Sequence, residues 1–381
     1  MDRKRIVIVG PAYPYRGGQA LVESHMFETL TKLGYDCYTV SYKLLYPSFL
    51  FPGTTQYDES GMHYNDHSDR TFRIVNSINP ISWFAAARKI KNLHPDVVML
   101  VWWMPFFGPA LSTIGRLVRR WTRARIVFLV DNYLSHERRW FDAAFTSWTL
   151  RLGDHFIGQS EFITKRLAEE FPATRVHRVT LPVFGCFDLG AFDRSSAREK
   201  LGLGGGNVAL FFGYIRRYKG LDYLIRAFPR VLEAEPDTTL LIVGECYEDL
   251  ATYTDMIEAE GIADRTVFVS KYVANEEIEP YFKAADVVCL PYRSATQSGI
   301  VMLAYGFDRP VVTTDVGGLP ETVRAGETGV VVPRGDTDAL ADGIVEVLRM
   351  RGRVDFEANI AALTHELGHR DMERIFAEIA R

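Results

Sequence analysis

The sequence predicts an α/β protein made of two doubly wound, parallel-sheet domains, and three observations carry that prediction. The chain has 381 residues, more than one hydrophobic core usually spans. Short β-branched runs alternate with amphipathic stretches along its length, the pattern of parallel strands covered by helices on both faces. A proline- and glycine-bearing stretch without sustained period, Leu181 to Ala197, divides that series in two.

In the first half, strands are predicted at Ile6 to Val9, Tyr38 to Val40, Val97 to Val101, Ile126 to Val130 and His155 to Ile157, with helices between most of them. The long segment Leu45 to Asp69 is aromatic and proline-bearing, and is read either as a substrate-contacting loop or as a packed excursion over the domain edge. Leu181 to Ala197 is read as the linker, followed by a helix that opens the second domain. The pattern then restarts with strands at Val208 to Phe212, Leu240 to Val243, Val267 to Val269, Val287 to Leu290, Val311 to Thr313 and Val330 to Val332. The expected boundaries are 1–182 for the first domain, 183–355 for the second, and 356–381 for a C-terminal helix crossing back to the first. Two such domains are expected to leave an interdomain cleft at the carboxyl ends of their sheets, where ligands bind in folds of this class.

Composition narrows the function. Hydrophobic residues make up 47% and charged residues 24%, and the formal net charge is -4, which argues against a disordered chain and against a wholesale nucleic-acid binder. An anionic ligand must therefore be met by local positive groups. Cys37, Cys186, Cys246 and Cys289 are widely spaced, and reduced thiols in a cytosolic protein are expected. No apolar run approaches the roughly 20 residues that span a bilayer. The triplet Asp336 to Asp338 precedes a helical pattern and reads as a helix cap, and the glycine run Gly202 to Asn207 precedes a strand and reads as a flexible turn.

Several loops carry chemistry. Gly17 and Gly18 directly precede a helix, so their amides can approach a phosphate with no side chain between. Arg216, Arg217 and Lys219 crowd the loop between a buried strand and a helix, and fixed cations beside a helix start suit a diphosphate. The stretch SATQSG supplies Thr296, Gln297, Ser298 and Gly299 at another helix start, where amides can cap a diphosphate and hydroxyl or amide side chains can meet a sugar. Leu111, Ile114, Val118 and Trp121 recur at helical spacing beside Arg116, Arg119, Arg120 and Arg123, and Trp102, Trp103, Phe106 and Phe107 cluster nearby. Residues 102–123 are therefore expected to touch an anionic membrane surface, the other reading being a one-sided helix packed on the sheet.

The stretches FFGYIRRYKGLD, LLIVGE, VFVSKYVANEEIEPYFKAADVVCLPY and RPVVTTDVGGLPETV, in this order and spacing, resemble glycosyltransferase family 4, whose members have the GT-B fold of two Rossmann-like domains. The resemblance extends to GGQALVESHMFETLTKLGYD and GDHFIGQSEFITKRL, and so covers most of the chain. It implies transfer of a sugar from a nucleoside-diphosphate sugar, a UDP- or GDP-sugar, with retention of anomeric configuration and with neither cofactor nor catalytic metal. The implied acceptor is a saccharide or lipid-linked saccharide, in cell-surface polysaccharide or glycoconjugate synthesis, by a cytoplasmic protein peripheral on the inner face of the cell membrane.

The same resemblance assigns residues. Lys219 takes the place of the lysine on the donor diphosphate, while the family's usual arginine falls on Tyr214, leaving Arg216 to reach the phosphate from two positions later. Two glutamates that normally lie seven residues apart fall on Ala295 and Leu303, which implies an altered donor site met by Thr296, Gln297, Ser298 and Gly299. Tyr272 and Val273 are expected at the base pocket, with Glu245 toward the nucleoside. The first domain is implied to be the acceptor side: Asp131 orients the acceptor hydroxyl, with Tyr13, Arg16, Asn132 and His136 around it. Rival readings are a non-catalytic nucleotide-sugar binder, an epimerase, which would act on donor alone, and a phosphorylase, which would require inorganic phosphate.

Overall fold

In the computed structural model, which describes residues 3–48, 51, 55–58, 67–133, 142–366 and 370–380, the chain separates into two units between Pro182 and Val183. The first unit opens with β1 (Arg5–Val9), α1 (Gly18–Lys32), β2 (Asp36–Leu44), β3 (Thr71–Asn76), α2 (Pro80–Asn92) and β4 (Val97–Trp102). It continues with α3 (Gly108–Trp121), β5 (Arg125–Val130), α4 (Asp142–Leu150), β6 (His155–Gly158), α5 (Glu161–Glu170) and β7 (Arg175–Arg178). Among the described residues these seven strands form one parallel sheet in the order β3-β2-β1-β4-β5-β6-β7. The apolar runs of β1 and β4 are central and buried on both faces, which is why they read as continuous rather than alternating. Strand order reverses between β1 and β4, so the loops leaving those two strands bound the crevice where such sheets bind ligands.

The second unit repeats the plan with α6 (Arg194–Lys200), β8 (Asn207–Phe212), α7 (Leu221–Ala234), β9 (Thr238–Val243), α8 (Leu250–Ala259) and β10 (Thr266–Val269). It then adds α9 (Glu279–Ala284), β11 (Val287–Leu290), α10 (Gly299–Gly306), β12 (Val311–Thr314), β13 (Gly329–Val332), α11 (Thr337–Met350) and α12 (Phe356–Glu366). Its sheet runs β10-β9-β8-β11-β12-β13, six parallel strands among the described residues. The switch point here lies between β8 and β11. Leu221, Leu224, Ile225, Phe228 and Val231 fall on one buried stripe of α7, the periodicity that packs a helix on a sheet.

Several expectations are corrected. The strands β3 and β7 are absent from the sequence reading because both lie at sheet edges, where one side faces solvent and charged residues such as Arg175 and Arg178 replace the apolar signal. The stretch expected to be a linker belongs largely to the second unit. Phe184 donates its amide to Met302 at 3.2 Å, Phe184 and Phe187 are buried, and Asp193 caps α6 through the Ser196 amide at 2.8 Å. The glycine run is pinned rather than flexible: Gly205 and Gly206 carbonyls accept from the Arg198 guanidinium at 3.3 and 2.7 Å, and a Cβ on Gly206 would meet the Asp237 carbonyl oxygen at 1.8 Å. Asp336 accepts from the Ala339 amide at 2.9 Å and so caps α11.

The C-terminus holds two helices rather than one. Whereas α12 counts with the second unit, α13 (Arg370–Ile379) counts with the first. There Arg125 donates to the Ile379 carbonyl at 2.9 Å, Arg175 pairs with Glu378, and Phe376 is buried.

The aromatic stretch beside α3 is interior. Trp102, Trp103, Phe107, Leu111, Ile114 and Val118 are all buried, and Tyr46, Phe106 and Phe107 pack on one another with centroids 5.0 to 6.3 Å apart. The apolar stripe of residues 102–123 therefore packs on the sheet and is not available for lipid insertion, because the same spacing serves either purpose until a partner surface is known. What remains on the surface is charge: Arg116, Arg119, Arg120 and Arg123 are exposed, with Arg119 on Asp154 at 2.8 Å and Arg116 over the Trp148 ring at 3.9 Å. The described parts of the irregular segment after β2 are tied down by hydrogen bonds: Gln56 holds both the amide and the carbonyl of Tyr46, and the exposed Tyr57 bridges to Tyr15.

Candidate active site

In the second unit, chemistry gathers on the loop leaving β8. Gly213 follows the strand with φ 105, a conformation that favours glycine, and a Cβ there would crowd the Lys219 Nζ at 2.9 Å. Lys219 is 7% exposed. No carboxylate pairs with it among the described residues, and its Nζ lies 5.6 Å from the centre of the Tyr292 ring. Burial first, and then the positive charge of Arg216, bring its pKa down to about 8. Arg216 is held over the Tyr247 ring at 4.9 Å, and Tyr247 stacks on Tyr214 at 5.0 Å. Tyr214 thus supports Arg216 through Tyr247. Two like charges, one of them desolvated without a counterion, are an arrangement that an anion relieves.

The loop before α10 is fixed by its own backbone. Ser298 caps the helix by accepting from the Ile300 amide at 3.2 Å and also hydrogen-bonds with the Tyr292 side chain, so its hydroxyl is committed. Its role toward a ligand therefore falls to the amides at the helix start. Thr296 is buried, with its carbonyl accepting from the Gly318 amide at 3.1 Å. Gly317 has φ 53, and a Cβ on it would meet the Ala295 carbonyl oxygen at 1.7 Å. Ala295 and Leu303 are both buried, so these two positions contribute packing. Gly317→Ala is expected to lower the stability of this unit by about 3 kcal/mol, since it adds left-handed strain to a backbone clash. A melting temperature within a degree of the parent's would count against that packing.

The remaining donor-side candidates surround the same strand ends. Glu245 accepts from the Ile215 amide through its carbonyl at 2.9 Å, and from the Tyr247 hydroxyl through its carboxylate at 3.3 Å. Tyr272 is half-buried and Val273 is buried, so Val273 has only main-chain groups to offer a base.

In the first unit, the loop leaving β1 leads through Tyr13 and Arg16 to Gly17 and Gly18 at the start of α1. Gly17 has φ 105, and added Cβ atoms on either glycine would meet nothing within 4 Å, so the pair keeps the amides open and is not required by packing. The Arg16 amide donates to the Gln56 carbonyl at 3.0 Å, and its guanidinium lies 5.7 Å from the Phe51 ring centre. Asp131 follows β5, donates its amide to the Trp102 carbonyl at 2.9 Å, and is 1% exposed. Burial raises its pKa to about 7, partly offset by a hydrogen bond from Gln19. Its Oδ1 has no hydrogen-bond partner among the described residues. Asn132 follows it half-buried, and His136 lies outside the described residues.

Sequence reading missed Gly213, Tyr247 and Tyr292, which shape the surroundings of the two cations. Gly213 had a usable signal, a glycine directly after a buried strand. Tyr292 had none, because its part depends on β11 lying beside β8.

Two doubly wound units of this topology form a GT-B fold. Sucrose-phosphate synthase from Thermosynechococcus elongatus superposes with a TM-score of 0.72 at 19% identity, covering 99% of this chain and 98% of that one. The chain belongs to the glycosyl transferases group 1 family, the family-4 enzymes it resembles in sequence, and residues 206–350 match that family's model. It is 30% identical over 353 residues, 88% of this chain and 86% of the relative, to the GDP-mannose-dependent alpha-(1-6)-phosphatidylinositol monomannoside mannosyltransferase of Mycolicibacterium smegmatis. It is 34% identical over 173 residues to the D-inositol 3-phosphate glycosyltransferase of Mycobacteroides abscessus, a match spanning 43% of this chain and 38% of that protein. The protein is a glycosyltransferase.

Proposed function

We propose that the enzyme transfers a hexose, mannose from GDP-mannose being the first candidate, to a saccharide or lipid-linked acceptor, with retention of configuration and without a catalytic metal. The observation that carries this reading is the buried Lys219 ammonium beside Arg216, with no carboxylate paired to it among the described residues. When the bond from the anomeric carbon to the diphosphate breaks, its electron pair goes to the leaving phosphate oxygen. Prepositioned cations then stabilise the charge that develops, and helix-start amides at Gly299 add to them. The acceptor oxygen forms the new bond to the anomeric carbon, and its proton passes to Asp131 or to an oxygen of the leaving diphosphate. The 1–182 region serves the acceptor and 183–355 the donor in this reading. The name of the mannosyltransferase relative supports both GDP-mannose and a lipid acceptor.

A thermal-shift screen of GDP-mannose, other GDP-sugars and UDP-sugars identifies the donor. A cognate sugar nucleotide at 100 times its dissociation constant should add about 2.7 kcal/mol of stability. If none of the set stabilises the protein, the donor reading fails. The cognate donor with acceptor should give a product of unchanged anomeric configuration in the presence of EDTA, α for GDP-mannose, seen by the one-bond C1–H1 coupling; an inverted product excludes retention. Conversion of donor in the absence of acceptor would point to the epimerase instead.

Association with the inner membrane face belongs to the same proposal in a purely electrostatic form, through Arg116, Arg120 and Arg123. Flotation with anionic vesicles should then be lost at high salt.

A further inference from the structure

The amino-terminal edge of the second unit's sheet carries an excess of positive charge that sugar transfer does not use. Asp286, buried just before β11, is shared by Arg194 at 2.5 Å, Arg198 at 2.7 Å and Arg351 at 3.0 Å, and also accepts the Val208 amide at 2.8 Å. Arg198 is otherwise used up by backbone carbonyls, including that of Ala284 at 3.1 Å, and Arg351 also donates to Asn207 at 2.9 Å. Arg309 joins them from the turn after α10. Burial lowers its pKa, Asp286 and Asp308 raise it, and Arg194 and Arg351 lower it further.

Among the described residues three guanidiniums therefore share the one Asp286 carboxylate, and Arg309 lies within electrostatic reach of it and of Asp308. The Nε atoms of Arg194 and Arg309 are buried and have no hydrogen-bond partner among the described residues. A buried guanidinium N–H without an acceptor is costly, and neighbouring like charges repel. Arg194 is 39% exposed at its side chain, so a small anion can enter from solvent. Guanidinium forks match phosphate oxygens in geometry and charge.

We propose that Arg194, Arg309 and Arg351 form a binding site for a phosphate group, taking inorganic phosphate, pyrophosphate or a sugar phosphate. The site lies at the amino ends of β8 and β11, whereas Lys219 lies beyond the carboxyl end of β8, so the two sites occupy opposite edges of one sheet. Occupancy stabilises the second unit without contact to the donor loops.

Calorimetric titration of the full chain carrying Lys219→Met, at constant ionic strength, tests this with the donor loop disarmed. Inorganic phosphate, pyrophosphate and mannose 6-phosphate serve as probes, and the tightest of them identifies the source of the phosphate. One saturable site per chain is expected, and adding Arg309→Gln should weaken it at least tenfold. Without phosphate, Arg309→Gln should melt no lower than its parent, because it removes a charge that burial disfavours. Arg194→Gln, at a more exposed position, should weaken binding similarly. Absent saturable binding, unchanged affinity in both arginine variants, or a lower phosphate-free melting temperature for Arg309→Gln each overturns the proposal.

Discussion

Lys219→Met is expected to lower the transfer rate by roughly 100- to 1000-fold while making the ligand-free protein more stable at neutral pH. The two effects share a cause. The ammonium is buried with no carboxylate beside it among the described residues, and its pKa falls from 10.5 to about 8, so the folded state disfavours the charge that, in the proposed mechanism, the departing diphosphate needs. Between pH 8 and 10.5 the unfolded chain holds a proton on this lysine that the folded chain lacks. Stability from this group therefore rises with pH across that window and is lowest below it, by a difference on the order of 3 kcal/mol. The variant should lose that pH dependence. Turnover within a factor of a few of the parent, in a chain that melts at the same temperature, would remove Lys219 from the mechanism.

Asp131→Asn should reduce kcat by roughly 100- to 10000-fold, as expected for loss of a positioned proton acceptor, with donor affinity unchanged. The folded carboxyl titrates near 7 against a usual 3.8, so between these values the folded chain binds a proton that the unfolded chain has released. Stability from this group falls as pH rises through that window, and the penalty is complete above about pH 7. The asparagine variant is thus expected to be more stable than the parent at pH 8 and equal to it near pH 3. In the parent, kcat/KM should rise through about 7 as Asp131 ionises and fall through about 8 as Lys219 loses its proton. Asp131→Asn should abolish the rising limb. A surviving limb in that variant assigns the proton acceptor elsewhere, with an oxygen of the leaving diphosphate then the acceptor by default.

Much of the fold was legible because parallel strands buried on both faces announce themselves, as the runs Ile6 to Val9 and Val97 to Val101 do. The edge strands β3 and β7 were not, since half of each faces solvent and the apolar signal is halved. Lys219 and Arg216 could be picked out because cations between a buried strand and a helix start form a local pattern. The support that Tyr214 and Tyr247 give to Arg216 could not, for stacking at 5.0 Å joins two different strand ends. The helix after Trp103 shows the opposite failure. Its amphipathic spacing was fully visible, yet the spacing describes an apolar face without saying what covers it, and the covering turned out to be protein.

By itself the sequence determined the class of architecture, the order of its strands along the chain, and the family, because these depend on period, on turn chemistry and on motifs contiguous in the chain. Tertiary structure alone decided the protonation tendencies of Asp131 and Lys219, the enclosure of the Ala295 carbonyl by Gly317, and the gathering of Arg194, Arg198 and Arg351 on Asp286. Desolvation and Coulomb energy depend on distances across space, and Asp286, which is 92, 88 and 78 positions from Arg194, Arg198 and Val208, becomes their neighbour only when the sheet assembles.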